Sequence, residues 1–277
     1  MSSIHEIPAI SGSAIESPVE FRESEFTGRI ILVVGGSRGI GAEVARLATS
    51  LGASEVIVNS REQSRDEAIA LLEELEKVNI NSGNLSRYIA GDITVSGVPE
   101  SIVQQAALSG RLDDVIICAG IRDDGLFLNM NDEQIRRVME ANFFGPAFVA
   151  REAIKQMRRQ RPRGGSITFI SSLAAEGNPG QANYSASKGA INSLVKTLAK
   201  EYSGSGIRIN AVAPGLVETT LTAGLTPQQR TGLLEATHSD RALTALEVAR
   251  HVLYLASPTR DSSVTGQIVP IVGLGIK

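Results

Sequence analysis

The chain of 277 residues has one cysteine, three histidines, no tryptophan and 4% aromatic residues. A single cysteine excludes an internal disulfide and a cysteine-built zinc site, and it fits a reducing compartment such as the cytoplasm. No apolar run is long enough to span a bilayer, so no membrane association is expected. Charge of one sign is also missing: 27 basic residues face 30 acidic ones, a net of −3. That mild acidity offers no electrostatic footprint for nucleic acid. The first residues carry Glu6, Glu16, Glu20, Glu23 and Glu25 with no apolar core, and so do not read as a secretory signal. Residues 1–27 are expected to be an extension, flexible or draped on the surface. Residues 28–277 are then a single domain, long enough to bury a substantial core.

Within that domain, strand-like runs alternate with helical patterns. Ile30–Val34 is a continuous β-branched and aliphatic run, as expected of a strand buried on both faces. A glycine turn, Gly35-Gly-Ser-Arg-Gly-Ile-Gly41, follows at once, and then a helix with Val44, Leu47, Ala48 and Leu51 on one side. Glu55–Val58 is the next strand, and Glu62–Val78 a helix with Ala68, Leu72, Leu75 and Val78 inward. Further strands are expected at Arg87–Ala90, Asp113–Cys118, Ser166–Ile170, Ile207–Val212 and Gln267–Val272. This alternation predicts a Rossmann-like, doubly wound parallel sheet of about seven strands with helices on both faces. Strand, glycine turn and helix in succession form the context of a dinucleotide site: the glycines admit a pyrophosphate and the helix N-terminus offers it free N–H groups.

Two further stretches bear on chemistry. The end of the second strand reads Asn59-Ser60-Arg61 where an acid would hold a ribose 2′-hydroxyl, and Arg38 lies in the glycine turn. Two guanidinium groups there favour a 2′-phosphate, hence NADPH over NADH. Downstream, Tyr184 and Lys188 stand four apart on an expected helix, Ala182–Tyr202, and share a face. An ammonium near a phenol lowers the phenol pKa and makes a proton donor usable near neutral pH. Ser171, at the end of the preceding strand, is placed to face the pair.

The G-x-x-x-G-x-G spacing of Gly35, Gly39 and Gly41, joined to the later Y-x-x-x-K, resembles the classical short-chain dehydrogenase/reductase family. Within it, Gly-Gln-Ala-Asn-Tyr-Ser-Ala-Ser-Lys and Ala-Pro-Gly-Leu-Val-Glu-Thr look most like 3-oxoacyl-(acyl-carrier-protein) reductases. The resemblance implies that Ser171, Tyr184, Lys188 and Asn142 are catalytic, Ser171 being preferred to Ser172 for its spacing to the tyrosine. It implies a cofactor cradle of Gly35, Ser37, Arg38, Gly39, Ile40 and Gly41, with Asn59, Ser60 and Arg61 at the ribose. Asp92 and Ile93 are then at the adenine, Ala119 and Gly120 beneath the cofactor, and Pro214, Gly215, Val217 and Thr219 at the nicotinamide, with Tyr184 and Lys188 on its ribose. The expected reaction is NADPH-dependent reduction of a ketone, most like a 3-oxoacyl thioester, with an acyl carrier protein among the implied partners. A different ketone (polyketide, steroid, sugar) and a non-catalytic nucleotide-binding scaffold are the alternatives. A homotetramer or dimer, paired through the long helix and the tyrosine-bearing helix, is expected by the same analogy.

Several details are particular to this chain. Val34 and Ile117-Cys118 are apolar where the family has threonine and asparagine, so packing is expected to replace a polar tie, with Cys118 a small core hydrophobe. Pro146 lies inside the helix expected at Asn131–Arg159 and cannot donate to the Asn142 carbonyl, so a kink is expected there, with a water linking that carbonyl to Lys188. Lys155, Arg158, Arg159, Arg161 and Arg163 form a basic run, either a solvated helix end or a dock for an acidic carrier. Residues 218–243 are the expected substrate lid.

Overall fold

The computed structural model describes residues 21, 24–80, 83–237, 239–257 and 263–274. Seven strands form one parallel sheet: β1 (Ile30–Val34), β2 (Glu55–Ser60), β3 (Leu85–Ala90), β4 (Asp114–Ile117), β5 (Gly165–Ile170), β6 (Ile207–Pro214) and β9 (Ile268–Ile271), in the order β3-β2-β1-β4-β5-β6-β9. Along β1, side chains alternate between two cores. Ile31 and Val33 face α1 (Gly39–Ser50), α2 (Arg65–Asn79) and α8 (Ala245–Ala256). Ile30, Leu32 and Val34 face α3 (Val98–Ala106), α5 (Gly145–Arg159) and α6 (Ala182–Tyr202). A strand with two buried faces needs apolar residues at every position, which is why β1 shows no polar alternation. Two short strands, β7 (Val217–Glu218) and β8 (Leu243–Thr244), pair in parallel at the base of the segment carrying α7 (Pro227–Ala236).

The strand order reverses between β1 and β4, and a crevice opens there at the carboxyl ends of the strands. Gly35 is what lets those ends close up. A Cβ on it would stand 2.6 Å from the Ala119 nitrogen, and its φ of 75° is one that L side chains rarely adopt. The strand ends are tied through Asn59 rather than by packing alone. Its carbonyl accepts the N–H groups of Gly35 and Gly36, both at 2.9 Å, and its side chain donates to the Ile89 carbonyl at 2.9 Å.

Three local expectations need correction. In α2 the buried residues are Ala68, Leu71, Leu75 and Asn79, with Val78 exposed and Leu72 only partly buried. A 3-10 turn over Glu62–Ser64 delays the helix to Arg65. The end of the N-terminal stretch is packed, not draped. Phe26 is fully buried, its N–H donates to the Leu51 carbonyl at 3.0 Å, and Glu25 accepts from the Ser257 hydroxyl. The rest of the extension, except Phe21, lies outside the described residues. The long helix divides into α4 (Asp132–Met139), a π turn over Glu140–Phe144 and α5. The Gly145 N–H reaches back to the Glu140 carbonyl, so Pro146 can serve neither Ala141 nor Asn142.

Candidate active site

A cavity of about 440 Å³ opens at the carboxyl end of β4, β5 and β6. Its walls bring together Ile40, Gly120, Ser172, Tyr184, Lys188 and Thr219, together with Ser171, Pro214, Gly215 and Val217. On the glycine-turn side the material is backbone. Among the described residues no side chain caps the N-terminus of α1, which leaves its first N–H groups without a side-chain acceptor. Gly39 holds φ 57°, and a Cβ there would lie 3.4 Å from Thr219, so the Pro-Gly segment after β6 closes against the glycine turn. Gly41 packs on Gly35: a Cβ would meet its carbonyl at 2.3 Å.

These features fit a dinucleotide. At the ribose side Arg61 is exposed, and Arg38 is about half exposed with Glu67 3.8 Å away, an ion pair too loose to hold it. Asn59 does not fit the expected role, because its side chain is buried and spent on Ile89. Ser60 makes only long contacts, to Tyr88 at 3.3 Å and the Ser64 carbonyl at 3.4 Å. Asp92 Oδ1 accepts from the Thr94 N–H at 2.9 Å and hydroxyl at 2.8 Å. The Ile93 side chain is buried against Gly145, where a Cβ would come within 2.7 Å of it. Ser37 is buried inside the turn.

Across the cavity the material is side chains. Tyr184 and Lys188 lie on α6, the lysine 5.7 Å from the tyrosine ring centroid. The preference for Ser171 over Ser172 is overturned by geometry. Ser171 is 1% exposed and its hydroxyl donates to Asn192 Oδ1 at 2.6 Å, inside the β5–α6 contact. Ser172, the next residue of the same extended chain, turns to the other side: its hydroxyl accepts from the Ala174 N–H at 3.1 Å and stands close enough to the Tyr184 phenol to lower its pKa. Burial raises the Tyr184 pKa above its ordinary value, while Ser172 and then the Arg122 guanidinium pull it down and Asp124 pushes it up. Lys188 is also engaged by the end of β5 in this arrangement. Its ammonium donates to the Ile170 carbonyl at 2.8 Å, and burial brings its pKa down to about 8.

Asn142 is 1% exposed and joins the β4 end to α6: it accepts from the Ile121 N–H at 2.8 Å and donates to Ser187 at 3.1 Å. Its Oδ1 and the Lys188 ammonium converge on Gly120, 3.2 and 3.5 Å from where a Cβ would be. Cys118 lines the cavity, but burial pushes its thiol up to about 12, so it stays protonated. The basic run of Arg158 to Arg163 is exposed at the end of the sheet where β5 begins, apart from buried Gln160. The length of that strand, about 20 Å, separates it from the cavity. Among the described residues no cluster of metal-ligating side chains occurs.

Residues 29–230 match the family model described as short chain dehydrogenase. The chain belongs to the short-chain dehydrogenase/reductase family. It is 33% identical to the 3-oxoacyl-(acyl-carrier-protein) reductase FabG of Escherichia coli K12 over 248 residues, 90% of this chain and 97% of that one. It is 33% identical to the short-chain reductase protein NovJ of Streptomyces niveus over 254 residues, 88% and 92% of the two chains. A solved short-chain type dehydrogenase/reductase from Mycobacterium ulcerans superposes with a TM-score of 0.82 at 31% identity, covering 89% of each chain. The family identifies an oxidoreductase acting on CH–OH groups with a nicotinamide dinucleotide, and that fits the backbone cradle facing Tyr184. Ser172 and Arg122 are the site residues that sequence reasoning passed over. Ser172 was readable only as one of two adjacent serines, and Arg122 as an isolated cation after Ile121.

Proposed function

We propose that the protein reduces a ketone to a secondary alcohol with NADPH, and that the ketone is a 3-oxoacyl thioester. The observation that carries this is the Ser172–Tyr184 pair on the wall of a cavity reaching Ile40 and Thr219 on the glycine-turn side. When bound, a nicotinamide would supply hydride to the carbonyl carbon. Tyr184, kept protonated by its raised pKa, gives its proton to the oxygen, and Ser172 holds that oxygen by a hydrogen bond. A protonated phenol suits the reductive direction. Lys188, close to Gly120, would hold the nicotinamide ribose hydroxyls, and Asn142 supports it through Ile121, after β4, and Ser187 on α6. The Asn142 carbonyl, which Pro146 cannot serve, is then the acceptor for a water leading from Lys188 to solvent. Arg38 and Arg61 receive the 2′-phosphate.

The thioester reading is supported by likeness to 3-oxoacyl-(acyl-carrier-protein) reductases over nine-tenths of the chain. Leu221, Leu233 and Ala236 put apolar surface from the 218–243 segment onto the cavity, as a lid over an acyl chain would. Partly exposed Phe144, in the π turn, and Phe148, on α5, support self-association through that helix. The single cysteine suits a cytoplasmic setting. The test is NADPH oxidation with acetoacetyl thioesters and a panel of other ketones. Turnover of the thioester above the panel is expected. Turnover of another ketone instead would move the substrate assignment, and cofactor binding with no turnover at all would leave a nucleotide-binding scaffold.

A further inference from the structure

Arg122 is a partly buried cation in the cavity wall that the proposed chemistry does not use. Its side chain is 13% exposed and shares the cavity with Ser172 and Tyr184. Asp124 engages it from one side, through Nη2 and, at 3.4 Å, Nε. Nη1 has no hydrogen-bond partner among the described residues. The pair is fixed from behind. Asp124 accepts from Gln181 Nε2 at 2.9 Å, and Gln181 in turn accepts from Asn178 at 2.7 Å. The surrounding loop is stitched to the segment leading into α6: the Gly125 N–H donates to the Gly180 carbonyl at 2.8 Å, and Asn183 donates to the Asp123 carbonyl at 2.9 Å. A guanidinium held this way is preorganised, and ordering it for a ligand costs little.

We propose that Arg122 selects the substrate, hydrogen-bonding a neutral second carbonyl oxygen, as in a thioester or ester, beside the ketone that is reduced. This rests on the ketoreductase reading and deepens it. The guanidinium is close enough to the reacting centre for its charge to act on the Tyr184 phenol. The choice of a neutral acceptor follows from the charges. Asp124 already neutralises Arg122, and Glu176 contributes a second carboxylate to the same wall. An incoming carboxylate meets both, whereas a neutral carbonyl needs only a donor. A ketone with no second carbonyl leaves that donor without an acceptor and gains nothing from it.

Steady-state NADPH oxidation with ethyl acetoacetate, 2-hexanone and acetoacetate tests this. The native protein should favour the ester over the simple ketone by roughly tenfold or more in kcat/KM. In Arg122→Met that preference should shrink to about twofold, through KM for the ester, and Arg122→Lys should restore part of it. Asp124→Asn, which leaves the guanidinium uncompensated, should raise acetoacetate use relative to the ester. Thermal melts verify that each variant is folded. Equal losses on the ester and the simple ketone in Arg122→Met, with the preference intact, would overturn the inference while leaving the reductase reading standing. A native protein that reduces the ketones without preferring the ester overturns it too. If it reduces none of the three, the ketoreductase reading fails and takes this inference with it.

Discussion

The two sides of the cavity are made of different material. The glycine-turn side is backbone: uncapped N–H groups of α1, Gly35 closed on Ala119, Gly39 facing Thr219. The opposite side is side chains from three places, with Ser172 after β5, Tyr184 and Lys188 on α6, and Arg122 after β4. Backbone recognition fits any dinucleotide, because the groups it meets are the same in all of them. Side-chain recognition can be altered one residue at a time. One side therefore defines a family, and the other is where members of that family differ.

Tyr184→Phe should separate the two sides most sharply. Removing the phenol oxygen is expected to lower ketone turnover by about 10³-fold. NADPH binding, followed by its fluorescence, should stay within about twofold, because the phenol is on the other wall. Loss of binding along with turnover would mean that the two sides do not act separately.

Lys188 is where the sides meet, and it is tested by stability rather than rate. Burial holds its pKa at about 8 against an ordinary 10.5. Below pH 8 the amine is charged both folded and unfolded, and the cost of burying the charge is fully present. Between about 8 and 10.5 the unfolded chain binds more protons, so stability rises with pH. The native protein should therefore gain on Lys188→Met across that window, by at most about 3 kcal/mol. Parallel melting curves for the two proteins would show that the lysine is solvated.

The contrast between the walls also explains what the sequence discloses. β1, the glycine turn and α1 are contiguous, and each is specified by local rules, so the cradle is legible as soon as Gly35, Gly39 and Gly41 are seen between them. The Tyr184–Lys188 spacing is legible because one helix carries both. Ser172 is not, since successive residues of an extended chain face opposite ways and nothing local tells which of two serines faces α6. The β5–α6 contact decides it by taking Ser171 to Asn192. Asn59 was misplaced for the same reason: its work is to join strands 30 residues apart in sequence. The π turn lies between these cases. Pro146 foretells a disrupted helix, but the register that results depends on packing around Gly145 and Ile93.

The serine pair supplies the next test. Ser172→Ala should lower kcat/KM for the ketone by roughly 10- to 100-fold, the value of one oxygen-holding hydrogen bond. Ser171→Ala should instead cost about 1 kcal/mol of stability, read by thermal melt, and leave turnover within a few-fold. A result the other way round would restore the spacing argument and refute the geometry.

The smallest effect is expected where the backbone cradle borrows side chains. Arg38 and Arg61 flank the end of β2, one loosely paired with Glu67 and both open to solvent. Exposed charge–charge contacts are individually weak, about 1 kcal/mol or less, so each Arg→Ala change should weaken NADPH binding only about fivefold. NADH lacks the 2′-phosphate, and its affinity should hardly move. Together the two substitutions should bring the cofactors close to parity. Equal weakening of both by either substitution would place the guanidinium on the shared pyrophosphate, and the cradle would then not be a purely backbone device. Raising ionic strength adds a control, since screening should reduce the NADPH advantage of the native protein and leave the double variant unaffected.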